Sequence, residues 1–261
     1  MFVYTEPPAG EIGFKRVPGQ AYYREVWQFD LSRHFVSSHR MDVATGYAGD
    51  YVDATYADAA GMARTFARII ALPPERSDNA GRMRRLAAFA EGHFERAIGI
   101  RLLDVGSGLG VFPWAVKHAG WTCTALDPDP RAVGQIQENV GVDTVCGDFM
   151  TVASPGRYDI VTLNKVLEHV PDPIAMLRRA HECLAPGGVV YIEVPDGETA
   201  SLEGPGREEF FIEHLHVFSL VSLAMMANRA GFEPLLVERL QEPSSKYTLR
   251  AFCIAGSADR R

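Results

Sequence analysis

The sequence predicts a doubly wound α/β domain: a mostly parallel sheet with helices on both faces, ending in an antiparallel C-terminal hairpin and preceded by an N-terminal helical cap. Three observations predict it. From about residue 100, short apolar runs alternate with amphipathic stretches of helical period. Runs apolar along their whole length and separated by helices imply parallel strands buried on both faces. The last two runs are joined only by Glu242-Pro243-Ser244-Ser245, far too short for a right-handed crossover, so those strands pair antiparallel.

Each element follows in chain order. Residues 1 to about 20 are rich in Gly and Pro and predict a loose arm. From about 21 to 96 the apolar spacing is helical, broken at Gly46 and Gly49 and again at Leu72-Pro73-Pro74. Met83, Leu86, Ala87, Phe89, Ala90 and Phe94 form one stripe of a helix leading into the rear of the chain. Residues 1–96 therefore make an arm and cap, and 97–261 the core domain. In the core, strands are expected at Arg101–Val105, Thr122–Leu126, Asp143–Cys146, Asp159–Leu163 and Val189–Val194. Helices are expected at Val111–Ala119, Pro130–Asn139 and Pro173–Cys183. Gly120 and Pro186-Gly187-Gly188 stand where helices stop. Helix Leu220–Arg229 ends at Gly231, and strands Pro234–Leu240 and Tyr247–Ile254 close the chain.

Composition limits the function classes. The chain has 261 residues, 47% hydrophobic and 23% charged, as in an ordinary globular protein. A net charge of −7 argues against a nucleic-acid partner, which needs a clustered cationic excess. Arg82, Arg84 and Arg85 lie among Glu75, Asp78 and Glu91 and read as a solvated helix face. Cys123, Cys146, Cys183 and Cys253 lack metal-ligand spacing, so no metal is expected from them, and unpaired thiols suit a reducing cytoplasm. The N-terminus lacks a basic start followed by an apolar region, so no signal peptide is read. No run of about 18 apolar residues is present, so no membrane span is expected. A homodimer is left open.

Between the first strand and its helix stands Asp104-Val105-Gly106-Ser107-Gly108-Leu109-Gly110. Glycines are needed where a ligand nears the backbone or φ turns positive, and this loop sits at a strand's carboxyl end, the usual crevice of an open α/β sheet. A dinucleotide fingerprint reads Gly-x-Gly-x-x-Gly and offers a helix N-terminus to pyrophosphate. Here the third glycine comes one residue early, and Asp104 would repel a pyrophosphate and attract an ammonium or sulfonium. At this point the chain resembles class I S-adenosylmethionine-dependent methyltransferases, a Rossmann-like family whose first motif is acid-x-Gly-x-Gly-x-Gly. The resemblance implies Asp104 near the cofactor's amino-acid end, Gly106 and Gly108 packed beneath it, and Ser107 and Gly110 in the same cofactor loop.

Asp127 ends the second strand about 20 residues after Gly106, the spacing of an acid that accepts ribose hydroxyls, with Pro128 beside it. Asp129 reads as an N-cap. By the same resemblance, Asp148 would accept from the adenine amine and Phe149 would cover the ring. The alternative is a plain turn with Phe149 in the core. Asn164-Lys165-Val166-Leu167-Glu168-His169-Val170-Pro171-Asp172-Pro173 resembles the fourth-motif region of small-molecule methyltransferases, including ubiquinone-biosynthesis O-methyltransferases. It implies that Asn164 meets the methionine part and that Leu167 and its neighbours line the cleft.

After the fifth strand, Glu213-His214-Leu215-His216-Val217-Phe218-Ser219 resembles a bacterial subfamily that includes sugar C-methyltransferases and polysaccharide-modifying enzymes. Methyl transfer from a sulfonium needs alignment, exclusion of water and removal of any acceptor proton. His214 or His216 is the expected general base, with His169 a further candidate; structural hydrogen bonding is the alternative role for each. Glu168, His169, Glu213 and His214 have side chains compatible with a divalent cation if the fold unites them. Residues 1–122 contain no cysteine, unlike the zinc-binding front of many sugar C-methyltransferases. Tyr47, Tyr51 and Tyr56 would either pack the cap or form a lid over the cofactor. The expectation is S-adenosylmethionine-dependent methylation of oxygen or carbon on a small-molecule acceptor. The alternatives are an NAD(P)-dependent oxidoreductase and a non-catalytic S-adenosylmethionine-binding protein.

Overall fold

Ten residues of the parallel strands alternate sides so strictly that they place both hydrophobic layers. Leu102, Ile160, Val189 and Tyr191 face one layer, while Leu103, Val105, Val161, Leu163, Val190 and Ile192 face the other. Consecutive strand residues point to opposite faces, so a strand apolar throughout must be covered twice. These residues belong to a computed structural model that describes residues 1–11, 21–41 and 59–256. Tyr47, Tyr51 and Tyr56, with Gly46 and Gly49, lie outside the described residues.

The core elements in order are β4 (Arg101–Val105), α3 (Val111–His118), β5 (Thr122–Asp127), α4 (Pro130–Asn139), β6 (Asp143–Cys146), β7 (Tyr158–Asn164), α5 (Pro173–Glu182) and β8 (Leu184–Pro195). Then follow α6 (Gly197–Glu203), β9 (His216–Val217), α7 (Leu220–Arg229), β10 (Phe232–Gln241) and β11 (Tyr247–Ala255). The seven-stranded sheet has the order β10-β11-β8-β7-β4-β5-β6. β6, β5, β4, β7 and β8 are parallel; β11 pairs antiparallel with β10, as the short link requires, and also with β8. Several helix starts carry their sequence signals: Asp129 accepts from the amide of Arg131, Asp172 from that of Ala175, and Ser219 with Ser222 forms a capping box.

The front differs from a purely helical cap. Among the described residues its α-helices are α1 (Ala59–Ile70) and α2 (Asp78–Phe94), the latter capped by Ser77. Ahead of them lie three strands, β1 (Phe2–Tyr4), β2 (Arg24–Gln28) and β3 (Phe35–His39), which pair antiparallel with one another and, through β3, with β9. The loose arm thus begins with a strand, and part of the expected helical stretch is a hairpin. The physical reason is long range. Tyr4, Val26 and Phe35 bury against Phe210, Ile212 and Val217 from the far end of the chain, a partnership that local spacing cannot reveal. Arg24 is fully buried within this sheet, paired with Glu11 and lying 4.2 Å from the centre of the Tyr4 ring.

The presumed solvated arginine face of α2 is corrected in the same way. Only Arg84 is exposed; Arg82 bonds Glu193 on β8 at 2.6 Å, and Arg85 holds Glu238 on β10 through two nitrogens. Cys123, Cys183 and Cys253 are buried and unpaired, and Cys146 is exposed. Among the described residues no helix is long and apolar enough to cross a membrane.

Candidate active site

β4 lies between β5 and β7, so the chain leaves its carboxyl end in one direction and returns on the other side, which opens a crevice there. The glycine loop forms its floor. Gly106 has φ +73, and a Cβ on it would stand 2.7 Å from Cγ2 of Val166. Gly110 has φ +79, with Ile136 Cγ1 at 2.7 Å from the same hypothetical atom. Both positions therefore need glycine for conformation and for space. Ser107 closes the loop, its hydroxyl donating to the Asp104 carbonyl.

Asp104 is 2% exposed. Its Oδ1 accepts from Thr162 Oγ1 at 2.6 Å and from Asn164 Nδ2 at 3.1 Å, across the β4–β7 register. Burial pushes its carboxyl up to about 6, against the opposing pull of these hydrogen bonds. The amide oxygen of Asn164 is buried with no partner. With Arg82, Ser107 and Lys165 these groups line a cavity of about 200 Å³. A carboxylate and a vacant amide oxygen are acceptors, suited to an ammonium group, and Arg82 adds a cation for a carboxylate.

At the neighbouring tip, Asp127 accepts from the amides of Gly108 at 2.8 Å and Asp129 at 2.9 Å. A carboxylate has about four acceptor sites, so two remain for donors of a ligand. Burial raises its pKa. Pro128 is half-buried beside it. The β6 tip departs from expectation. Asp148 is exposed and accepts from the amide of Met150, while Phe149 is 2% exposed inside the core. The turn drives that ring inward, so the exposed apolar side chain next to Asp148 is Met150. Leu167 is likewise corrected: it is fully buried in the core and presents no surface to a ligand.

The histidines separate into two groups. His169 and His214 face each other with ring centroids 4.9 Å apart, next to buried Glu168. The Glu168 carbonyl accepts from the amides of Leu215 and His216, which ties the loop after β7 to the loop after β8. Burial lowers the His214 pKa well below its ordinary value, so that ring is neutral at pH 7 and can accept a proton. His216 is turned elsewhere: its Nδ1 lies 3.1 Å from Nε2 of His34, whose other nitrogen meets Ser222. Its place is a clasp between β3 and β9.

Arg82 and Lys165 were missed as site residues in the sequence. Lys165 has φ +57, rare for a side-chain-bearing residue, and its ammonium donates to Thr248 at 2.7 Å. Burial lowers its pKa. No local signal marks either residue, because Arg82 reaches the crevice only when α2 docks on the sheet.

Known proteins share the sequence pattern and the fold. The chain is 36% identical over 101 residues to a ubiquinone biosynthesis O-methyltransferase of Pseudomonas aeruginosa, a match covering 36% of this chain and 44% of the relative. The corresponding protein of Azotobacter vinelandii is 38% identical over 103 residues, covering 37% and 44%. The chain thus spans less than half the length of these curated relatives. A solved 1,6-didemethyltoxoflavin-N1-methyltransferase of Burkholderia thailandensis, with bound S-adenosylhomocysteine, shares the fold at TM-score 0.55 and 22% identity, over 89% of this chain and all of that one. The magnesium protoporphyrin IX methyltransferase of Synechocystis shares it at 0.52 and 15%, over 68% and 83%. A family model described as a methyltransferase domain matches residues 62–237, and the chain belongs to that family.

Proposed function

We propose that this protein transfers a methyl group from S-adenosylmethionine to oxygen or carbon of a small-molecule acceptor. The observation that carries the reading is the acceptor-only cradle of Asp104 and the unpartnered Asn164 amide oxygen over the glycine loop. It suits the cofactor's ammonium end, with Arg82 available to the carboxylate and Asp127 to the ribose. Asp148 and Met150 would flank the adenine. The cofactor supplies an electrophilic methyl on a positive sulfur. The chain's own residues fix that methyl at the strand tips, keep water from it and deal with the acceptor's proton. His214 and His169 pack against each other on the loops after β7 and β8, and His214 is held neutral, which suits the pair to take that proton. The net charge of −7 and free cysteines support a non-nucleic-acid acceptor and a cytoplasmic setting.

Calorimetry tests this reading. S-adenosylhomocysteine should bind one per chain, and NAD should not. Binding of NAD alone would transfer the protein to the oxidoreductases. Binding of S-adenosylhomocysteine without methyl release to any hydroxylated acceptor panel would favour a non-catalytic role.

A further inference from the structure

Glu168, His169 and His214 each place one potential ligand atom within 4.8 Å of the others. Ring orientation decides what those atoms are. The Nδ1 of His169 donates to the Glu213 carbonyl at 2.9 Å, and the Nδ1 of His214 donates to the Glu209 carbonyl at 2.8 Å. A carbonyl can only accept, so each ring carries its proton on Nδ1, and Nε2 is the nitrogen whose lone pair can serve as a ligand. This anchoring of the outer nitrogen by a backbone carbonyl is the support that metal-bound histidines require. The third member strengthens the case. Glu168 is 1% exposed, its Oε1 lies 4.0 Å from Nε2 of His169, and its Oε2 is buried with no hydrogen-bond partner. A carboxylate buried with an unpartnered oxygen is costly unless something cationic meets it.

We propose that Glu168, His169 and His214 bind one divalent transition-metal ion of the zinc type. Two imidazoles and a carboxylate favour Zn²⁺, Co²⁺ or Mn²⁺ over Mg²⁺ and Ca²⁺, which prefer oxygen donors throughout. Three protein ligands leave an open position, and both histidines are only partly buried, so the ion has a path in and a face outward. The lone pairs must close by roughly 1 Å to share an ion with ordinary zinc–nitrogen distances of about 2.1 Å, within reach of side-chain torsions. Glu213, the fourth residue with suitable chemistry, contributes its carbonyl as a support.

The role of the ion rests on the methyltransferase reading above and deepens it. An acceptor hydroxyl in the open position would lose its proton more readily. The proton would leave to solvent on the ion's outward side, the oxygen lone pair would form the new C–O bond, and the pair of the broken C–S bond would stay on sulfur. With an ion bound, the imidazoles would act as its ligands, and the activation of the hydroxyl assigned to them above would fall to the ion.

The test uses full-length protein stripped with a chelator and titrated with Co²⁺, followed by its visible absorption, with zinc content measured after dialysis. The expected result is one ion per chain, an intense tetrahedral or five-coordinate spectrum, and affinity at least tenfold lower in Glu168→Gln, His169→Asn and His214→Gln. S-adenosylhomocysteine calorimetry on each variant reports whether it has folded. A histidine-selective NMR titration of the wild type with zinc, shifting two rings and sparing the others, gives the same answer without substitution. No saturable cobalt or zinc binding, equal affinity for Mg²⁺, or binding undiminished in folded variants would overturn the site. Failure to bind S-adenosylhomocysteine would instead sink the methyltransferase reading and leave the metal result standing.

Discussion

Asp104 concentrates the chemistry of the crevice in one carboxyl group. Its folded pKa of about 6 lies above that of an exposed Asp, so between those values the folded chain holds a proton that the unfolded chain has released. Stability from this group is therefore full at acid pH and falls as pH rises toward 6, by about 3 kcal/mol at full ionisation. An ammonium group in the cradle reverses the preference, because it favours the ionised form. Affinity for S-adenosylhomocysteine should accordingly rise with pH and level off above about 6, being about tenfold weaker at pH 5 than at pH 7. Asp104→Asn should lower affinity at pH 7 by about tenfold to a hundredfold and abolish that pH dependence, since a charge-assisted hydrogen bond contributes about 1.5–3 kcal/mol. Calorimetry across the range checks both. An unchanged pH profile in the variant would place the titrating group elsewhere.

A second residue sharpens the histidine assignment. If His214 handles the acceptor's proton or an ion that acidifies it, His214→Gln should lower kcat by about a hundredfold or more while leaving cofactor affinity within about twofold. His216→Gln should keep kcat and loosen the clasp with His34 instead, seen as a lower melting temperature. Equal kcat losses in both variants would contradict the division of roles read from their partners.

Among the elements, the glycine loop was legible because its demands are local. Three glycines with positive φ and an acid before them need no distant partner to be recognised. Gly106→Ala should lose about 2 kcal/mol or more, because a methyl group at φ +73 also strikes Val166. Urea unfolding with an unchanged slope measures it. The core strands were legible for the same reason: each is a short apolar run ended by a turn, and antiparallel closure followed from the length of one link. The front hairpin was not. The side chains of β2 alternate buried Arg24 and Val26 with exposed Trp27, and a buried arginine between polar neighbours gives no amphipathic signal that favours a strand. At the β6 tip the turn drove Phe149 into the core and left Met150 outside, because a motif does not fix which way each side chain of a turn points. Leu167 was misplaced because a motif names a segment and not the direction of each side chain in it.

At the scale of the whole molecule, the front and the core are one structure rather than a cap resting on a domain. β3 completes its sheet with β9 from the core segment, and α2 inserts Arg82 against β8. The insertion point is Glu193, fully buried, whose carboxylate meets Arg82, accepts from the Tyr191 hydroxyl and stands 3.9 Å from Arg250, with the Lys165 ammonium also attracting it. Those cations hold its pKa down even though burial alone would raise it. One anion thus compensates cations drawn from α2, the β7 tip and β11, and it does so at the wall of the crevice. Because removing one partner of a buried pair leaves the other charge in a low-dielectric interior, Glu193→Gln should cost about 3–5 kcal/mol. The loss should include a weaker hold on the cofactor, since Arg82 and Lys165 both line the cavity and would lose their common anchor. Arg82→Met should cost less in stability than Glu193→Gln, because Glu193 keeps Lys165, Arg250 and Tyr191. Chemical denaturation of the two single variants and the double variant decides the matter: additive effects would mean that Arg82 and Glu193 stabilise the fold independently, whereas a coupling of about 1–3 kcal/mol would make this pair the joint through which the front of the chain shapes the crevice.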